Sequence, residues 1–388
     1  MRILLIGETK SLFGGGEIYI SRLESLLERK GHNAKWWAPS SSIPKNSDEI
    51  KAVWNPKHAK MIASVITDFR PDIMHIHGFM HRLSGSVLLK AKHEKIPLIL
   101  TLHDFNIFCP RITLIRNGPD LCDHRFPNIN CFGSCLYRDA LKNIIRYPRL
   151  FINQHVVRCC VDVITAPSKL LTEITLNYFQ KIPCHYIPNV LPRAFPDPPS
   201  IKGRNSCQFA YIGRLHNVKG IHYIIDSMAI LRKQGILTNL VICGSGPQES
   251  GLKNHAHELG LQENINFLGQ QSHDIVWNIL KKSAALIVPS SGADNSPLVI
   301  YEALAANTPV IASRIGGLPD LVDDNETGFL FKPGDANELS EKMQTLLQLE
   351  EEKKELMANK IFKKAKTYTE ECHYESIIQA YSTCIEKK

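Results

Sequence analysis

Two carboxylates, Asp294 and Glu302, stand eight positions apart in the stretch Ser290–Ala306 (SSGADNSPLVIYEALAA). A carboxylate accepts two or more hydrogen bonds, so a convergent pair suits a hydroxyl-rich ligand such as a ribose or a hexose. Ala284–Pro289 and Pro309–Ser313, on either side, are apolar runs of strand length bounded by turn residues, which predicts a strand–loop–helix–strand unit. Asn295 and Ser296 are good caps, and Pro297 suits a first helical position. Leu298, Ile300, Tyr301 and Leu304 keep helical spacing, and Asn307 marks the stop. The loop then lies at the carboxyl end of a parallel strand, where open α/β sheets bind ligands and helix N–H groups attract anions. Glu302 falls about one and a half turns into that helix, its Cα–Cβ bond tilted back toward the mouth. Taken alone, the pair is better explained by a helix cap and a solvated acid.

Other residues add chemistry that one such pair cannot. Phe209–Arg214 (FAYIGR) reads as a strand running into GRLHNVKG, so Arg214 and Lys219 flank a turn before a helix expected over Ile221–Lys233. Two cations at a helix start suit a diphosphate. Asn239–Pro247 (NLVICGSGP) is a strand ending in Gly244 and Gly246, and Ile265–Gly269 (INFLG), with Leu268, is another. Near the start, Gly14, Gly15 and Gly16 let the backbone approach a ligand ahead of a helix patterned Ile18, Ile20, Leu23, Leu26, Leu27. That run does not match GxGxxG, which argues against a nicotinamide or flavin site. Pro71–Phe79 and Ile96–Phe105 are strands that each end near histidine; His75 and His77 read as structural, with His77 near an acceptor, and His103 opens a polar loop.

The text acid-x7-acid with DNSPLVIYEALA running into TPVIAS, together with G-R-x4-K-G, resembles the GT4 glycosyltransferases. The resemblance is most specific over residues 209–335 and looser before residue 200. It implies the GT-B fold: an α/β protein of two Rossmann-like doubly wound domains facing a cleft. The expected boundaries are 1–191 for an acceptor domain, joined by a C-terminal helix at 368–388, and 200–366 for a nucleotide-sugar domain. It further implies retaining transfer of a hexose from a nucleoside-diphosphate sugar. UDP-glucose is the single best guess, from the commonest family usage. On this resemblance Arg214 and Lys219 hold the departing diphosphate, so no metal or other cofactor is required. Glu302 grips the ribose, and Asp294 the sugar with Asn295, Ser296, Pro297 and Leu298 beside it. Gly244, Gly246 and Leu268 line the nucleoside, Gly15 and Gly16 face donor and acceptor, and His103 stabilises the sugar. The family's first acid is usually Glu; Asp294 keeps the charge but sits one methylene back. A nucleotide-sugar-binding protein without turnover, or a GT-B-type epimerase, remains open.

Composition bounds the rest. At 388 residues, 44% hydrophobic and 22% charged, the chain has the make-up of a soluble two-domain protein. MRILLIGE holds too short an apolar run for a signal peptide and reads as a first strand, so a cytoplasmic location is expected. The net charge of +8 is uneven: residues 1–190 carry 25 Lys/Arg against 15 Asp/Glu, the remainder 21 against 23. That excess suits peripheral contact of the first half with an anionic membrane, and a saccharide or lipid-linked acceptor there. No nucleic-acid recognition motif is present.

Eleven cysteines without an export signal argue for free thiols rather than a disulfide framework. Cys109, Cys122, Cys131 and Cys135 cluster in a loop-like segment where some GT4 relatives also carry a Cys-rich insert. A structural metal is one reading, and unpaired thiols or an oxidation-prone pair are the others. Arg138–Arg158 is basic and amphipathic, with Pro148 expected to break it in two; it reads as a membrane-surface helix or a packed helix with a solvated face. Tyr186–Val190 is expected to close the first half, with Pro192–Pro199 as the linker and Leu339–Lys366 as a charged helical run.

Overall fold

The computed structural model describes residues 1–10, 14–39, 55–80, 83–109, 113–114, 122, 140–191 and 205–387, with only the backbone described for 140–147 and 205–206. The chain divides into two compact units, one holding the described residues up to Asn189 together with Glu370–Lys387, the other Val190–Thr369.

The first unit runs β1 (Arg2–Ile6), α1 (Gly15–Arg29), β2 (Asn33–Trp37), α2 (Pro56–Phe69), β3 (Ile73–Ile76), α3 (Ser86–His93), β4 (Leu98–Thr101), α4 (Ala140–Cys160), β5 (Val163–Ala166), α5 (Lys169–Tyr178) and β6 (Cys184–Tyr186). Its strands order as β2-β1-β3-β4-β5-β6, all parallel. A parallel sheet buried on both faces needs continuous apolar strands, and Ile3–Ile6 are wholly buried. The helices start where side chains supply the missing acceptors: Asn55 takes the Lys57 N–H ahead of Pro56, and Ser168 takes that of Leu171.

The second unit runs β7 (Asn205–Ile212), α6 (Ile221–Lys233), β8 (Asn239–Cys243), α7 (Glu249–Glu258), β9 (Ile265–Gly269), α8 (His273–Lys282), β10 (Ser283–Val288), α9 (Leu298–Ala305), β11 (Val310–Ser313), α10 (Leu318–Leu321), β12 (Gly328–Phe331), α11 (Ala336–Leu347) and α12 (Glu351–Ala365). Its parallel order is β12-β11-β10-β7-β8-β9. The last helix, α13 (Glu370–Glu386), returns to the first unit, where Ile377, Ala380, Tyr381 and Cys384 pack on Ile3, Leu5, Tyr19 and Leu27. The expected α/β class of two doubly wound Rossmann-like sheets is present. Among the described residues no helix is long and apolar enough to cross a membrane.

Three local expectations shift. Pro297 is extended, with ψ of 126°, and caps α9 from outside instead of opening it. Leu339–Lys366 is two helices, with a break at Gln348–Glu350 where acids gather to start the second. Pro148 does not divide α4: it removes one hydrogen bond, while Leu150, Asn153, Gln154, Val156 and Val157 bury the stretch that follows.

Candidate active site

In the second sheet the chain leaves in opposite directions on either side of the β7–β10 pair, which opens a crevice at their carboxyl ends. The loop after β7 carries Arg214 and Lys219, and the loop after β10 carries Asp294. Lys219 sits in a single 3₁₀ turn, Asn217–Lys219, closed by Gly220 at φ 67°. A Cβ on Gly220 would stand 2.0 Å from the Pro289 carbonyl oxygen, so only glycine lets the two loops meet. The Val218 carbonyl binds the Ser291 N–H at 2.9 Å and fastens one loop to the other.

Lys219 Nζ thereby lies 2.6 Å from Asp294 Oδ1, while Ser290 Oγ donates to Oδ2. The Asp294 carbonyl accepts from the Gly317 N–H at 2.8 Å. Arg214 is exposed, and its carbonyl accepts from the Tyr211 hydroxyl at 2.9 Å. Gly244 packs so closely that its Cβ would meet the Gly213 carbonyl at 1.9 Å, and one on Gly246 would meet that of Leu215 at 2.3 Å. Leu268 is half-buried and accepts from the Gln271 side chain through its carbonyl.

Along α9, Asn295 is buried just before the helix and Ser296 shares a 2.8 Å hydrogen bond with the Tyr301 hydroxyl. Leu298 opens the helix. The Glu302 carboxylate is only 12% exposed and lies 3.5 Å from Nδ1 of His273, the first residue of α8. Sequence reading missed His273. Its only signal was position, directly after the β9 turn, and the contact depends on two helices whose adjacency no periodicity encodes.

The first unit has its own cleft of about 230 Å³ at the carboxyl ends of β1, β3 and β4, lined by Glu8, Gly14–Gly16, Glu17, His77 and His103 among others. Gly15 and Gly16 form the first turn of α1, and a Cβ on Gly16 would lie 3.8 Å from the His103 ring. His103 Nε2 meets His77 Nδ1 at 3.2 Å. Behind them a buried polar chain runs through the unit. His75 Nε2 meets Thr101 Oγ1 at 2.6 Å, and His75 Nδ1 meets the Tyr381 hydroxyl at 2.9 Å. His373 Nδ1 donates to the Pro188 carbonyl at 2.9 Å, so its Nε2 accepts from the Tyr19 hydroxyl at 3.0 Å.

Burial sets the charge of this cluster. It pushes the pKa values of His103 and His373 down to about 4. His75 and His77 fall well below the ordinary range, by burial first and then by the neighbouring imidazoles. All four are neutral at physiological pH, so His103 offers a hydrogen bond and not a charge.

The cysteine cluster is only half in view. Cys109 is buried and Cys122 half-buried, while Cys131 and Cys135 lie outside the described residues. Among the described residues no group of three or more His, Cys, Asp or Glu is placed to hold a metal.

Residues 13–193 match Glycosyltransferase Family 4, and residues 198–364 match Glycosyl transferases group 1. The chain belongs to the GT4-type glycosyltransferases. Among curated family members, it is similar to an alpha-D-kanosaminyltransferase of Streptomyces kanamyceticus, 27% identical over 137 residues, 35% of each chain. It thus spans about a third of the length of such relatives. Solved structures extend the likeness over the whole chain. Sucrose-phosphate synthase from Thermosynechococcus elongatus superposes with a TM-score of 0.74 at 18% identity, covering 100% of this chain and 99% of that one. Anabaena Alr3699/HepE in complex with UDP does so with a TM-score of 0.69 at 17% identity, covering 99% and 100%. At these identities the likeness is one of fold, and the fold of this GT4-type chain is GT-B.

Proposed function

We propose that this glycosyltransferase moves a hexose, with retention, from a nucleoside-diphosphate sugar to a saccharide or lipid-linked acceptor in polysaccharide assembly. The observation that carries the reading is the Lys219–Asp294 pair, 2.6 Å long, at the β7–β10 switch point. A cation and a carboxylate fixed side by side match a donor whose diphosphate and sugar hydroxyls are adjacent. Lys219 and Arg214 neutralise the charge that grows on the departing diphosphate, the electrostatic work a divalent ion does in other transferases. Asp294 and the stretch Asn295–Leu298 hold the sugar, with backbone N–H groups at the α9 start turned to account. Glu302 binds the ribose, oriented by His273, and the glycine loops at Gly244 and Gly246 and the Leu268 turn leave room for the nucleoside.

His103 supports the sugar as a neutral hydrogen-bonding group, with Gly15 and Gly16 beside it. Among the described residues no carboxylate is set as a nucleophile, so attack occurs on the face the leaving phosphate vacates, assisted by that phosphate. UDP-glucose is the leading donor, supported by family usage and by the Anabaena structures with UDP and UDP-glucose. The basic first half and the exposed Phe151 and Ile152 on α4 support peripheral contact with an anionic membrane from the cytoplasmic side.

The test is nucleotide release from a panel of nucleotide sugars in the presence of chelator, for the native protein, Lys219→Ala and Glu302→Ala. Release from one donor, lost in both variants, supports the reading and names the sugar. Tight donor binding without release, even with membrane extract as acceptor, favours a binding protein. A changed sugar without acceptor favours an epimerase.

A further inference from the structure

Asp294 is held both by its side chain and by its backbone. On the side chain, Lys219 Nζ lies 2.6 Å from Oδ1 and the Ser290 hydroxyl donates to Oδ2. Ser290 is 1% exposed and follows β10 directly after Pro289, too deep to touch a ligand itself. On the backbone, the Asp294 carbonyl accepts from the Gly317 N–H at 2.8 Å. A Cβ on Gly316, which stands at φ 64°, would lie 2.2 Å from that same carbonyl oxygen, so the two loops are in contact with no slack between them. Just ahead, the Gly292 N–H meets the Val218 carbonyl at 3.3 Å. The chain at Asp294 therefore cannot draw back.

This frame fixes a length as well as a direction. An ionised carboxylate offers about four lone-pair sites, of which Lys219 and Ser290 take one on each oxygen. The Asp294 side chain keeps 20% of its surface open, so both oxygens can still accept from a sugar hydroxyl. Lys219 spends one ammonium proton on Asp294 and keeps the others for a diphosphate. One more methylene would carry the carboxylate about 1.5 Å further out, past a hydroxyl on a short buried side chain. Resting on the transferase reading above, we infer that Ser290 is a positioning residue for the donor sugar: it sets the Asp294 carboxylate, in a site cut for aspartate that does not accept glutamate. The affinity it secures is for the sugar and not for the nucleotide.

Steady-state kinetics on the full chain test this, with the nucleotide sugar that the native protein cleaves as substrate and its nucleoside diphosphate as inhibitor. Ser290→Ala raises the donor KM about five- to tenfold, while kcat and inhibition by the nucleoside diphosphate change by less than about twofold. Asp294→Glu keeps the charge yet raises the donor KM about tenfold, as Asp294→Ala does. Ser290→Cys, close to serine in size and a weaker donor, gives an intermediate KM and serves if Ser290→Ala does not fold by circular dichroism. An unchanged KM in the Ser290 variant, native affinity in Asp294→Glu, or equal weakening of donor and nucleoside diphosphate overturns the inference. A double-mutant cycle of Ser290→Ala and Asp294→Ala needs no donor: in urea unfolding of the second unit the two are coupled by about fivefold in the unfolding constant. That coupling, found without binding or cleavage of any nucleotide sugar, would sink the transfer reading alone and leave the positioning of Asp294 standing. Additive variants would sink the positioning, whatever the donor.

Discussion

His75 and Tyr381 are 306 positions apart in the chain, and their side chains share a 2.9 Å hydrogen bond with both residues fully buried. One comes from a central strand of the first sheet, the other from the helix that returns after the second unit. The Tyr381→Phe substitution keeps the ring and removes the hydroxyl, so His75 Nδ1 is left buried without that partner. A loss of about 1–3 kcal/mol in stability is expected, read as a lower urea midpoint with unchanged slope.

Acid should loosen the first unit before it harms the second. His103 and His373 titrate near 4 in the folded protein, against an ordinary value of 6.5. Between those values the unfolded chain binds more protons, so stability is held above about pH 6.5 and lost as pH falls toward 4. At pH 5 each of the two contributes a loss of about 2 kcal/mol, and His75 and His77 add in the same direction. Hydrogen exchange at pH 7.5 and pH 5 should show protection falling first at β1, β3, β4 and α13. Equal loss in both units would contradict this.

Gly220→Ala should separate backbone strain from chemistry. The new Cβ would sit in a left-handed conformation and 2.0 Å from a carbonyl oxygen, so the loop bearing Lys219 must move. A stability loss of about 2–4 kcal/mol is expected in thermal melts. Donor affinity should fall with it, although no ionisable group has changed.

His273→Ala tests how Glu302 is held. Losing the imidazole 3.5 Å from the carboxylate should raise the donor KM about three- to tenfold with kcat nearly unchanged. His273→Gln should recover part of the affinity, and a fall in kcat of the same size as the rise in KM would assign His273 a different role.

What the sequence made legible was local. Glycine and proline punctuation, caps and the periodicity of Leu298, Ile300, Tyr301 and Leu304 place the β10–α9–β11 unit, and α6 runs over Ile221–Lys233 as its pattern predicts. Arg214, Lys219, Asp294 and Glu302 stood out because their motif spacing is fixed along the chain. The His75–Tyr381, Tyr19–His373 and His273–Glu302 pairs did not, since each joins two separate elements, and a lone histidine carries no trace of its partner. Pro148 shows the limit from the other side: a strong local breaker was overruled by burial of the residues that follow it.

The return of α13 to the first unit bears on how the protein is made. Ile377, Ala380, Tyr381 and Cys384 complete a core whose other members are mostly translated before residue 190. At roughly 5–20 residues per second, that core waits on the order of ten to forty seconds on the ribosome for its last helix. The second unit emerges whole during this interval. The unit that begins the chain is therefore the one that finishes folding last, and its apolar sheet face is the surface a chaperone would meet.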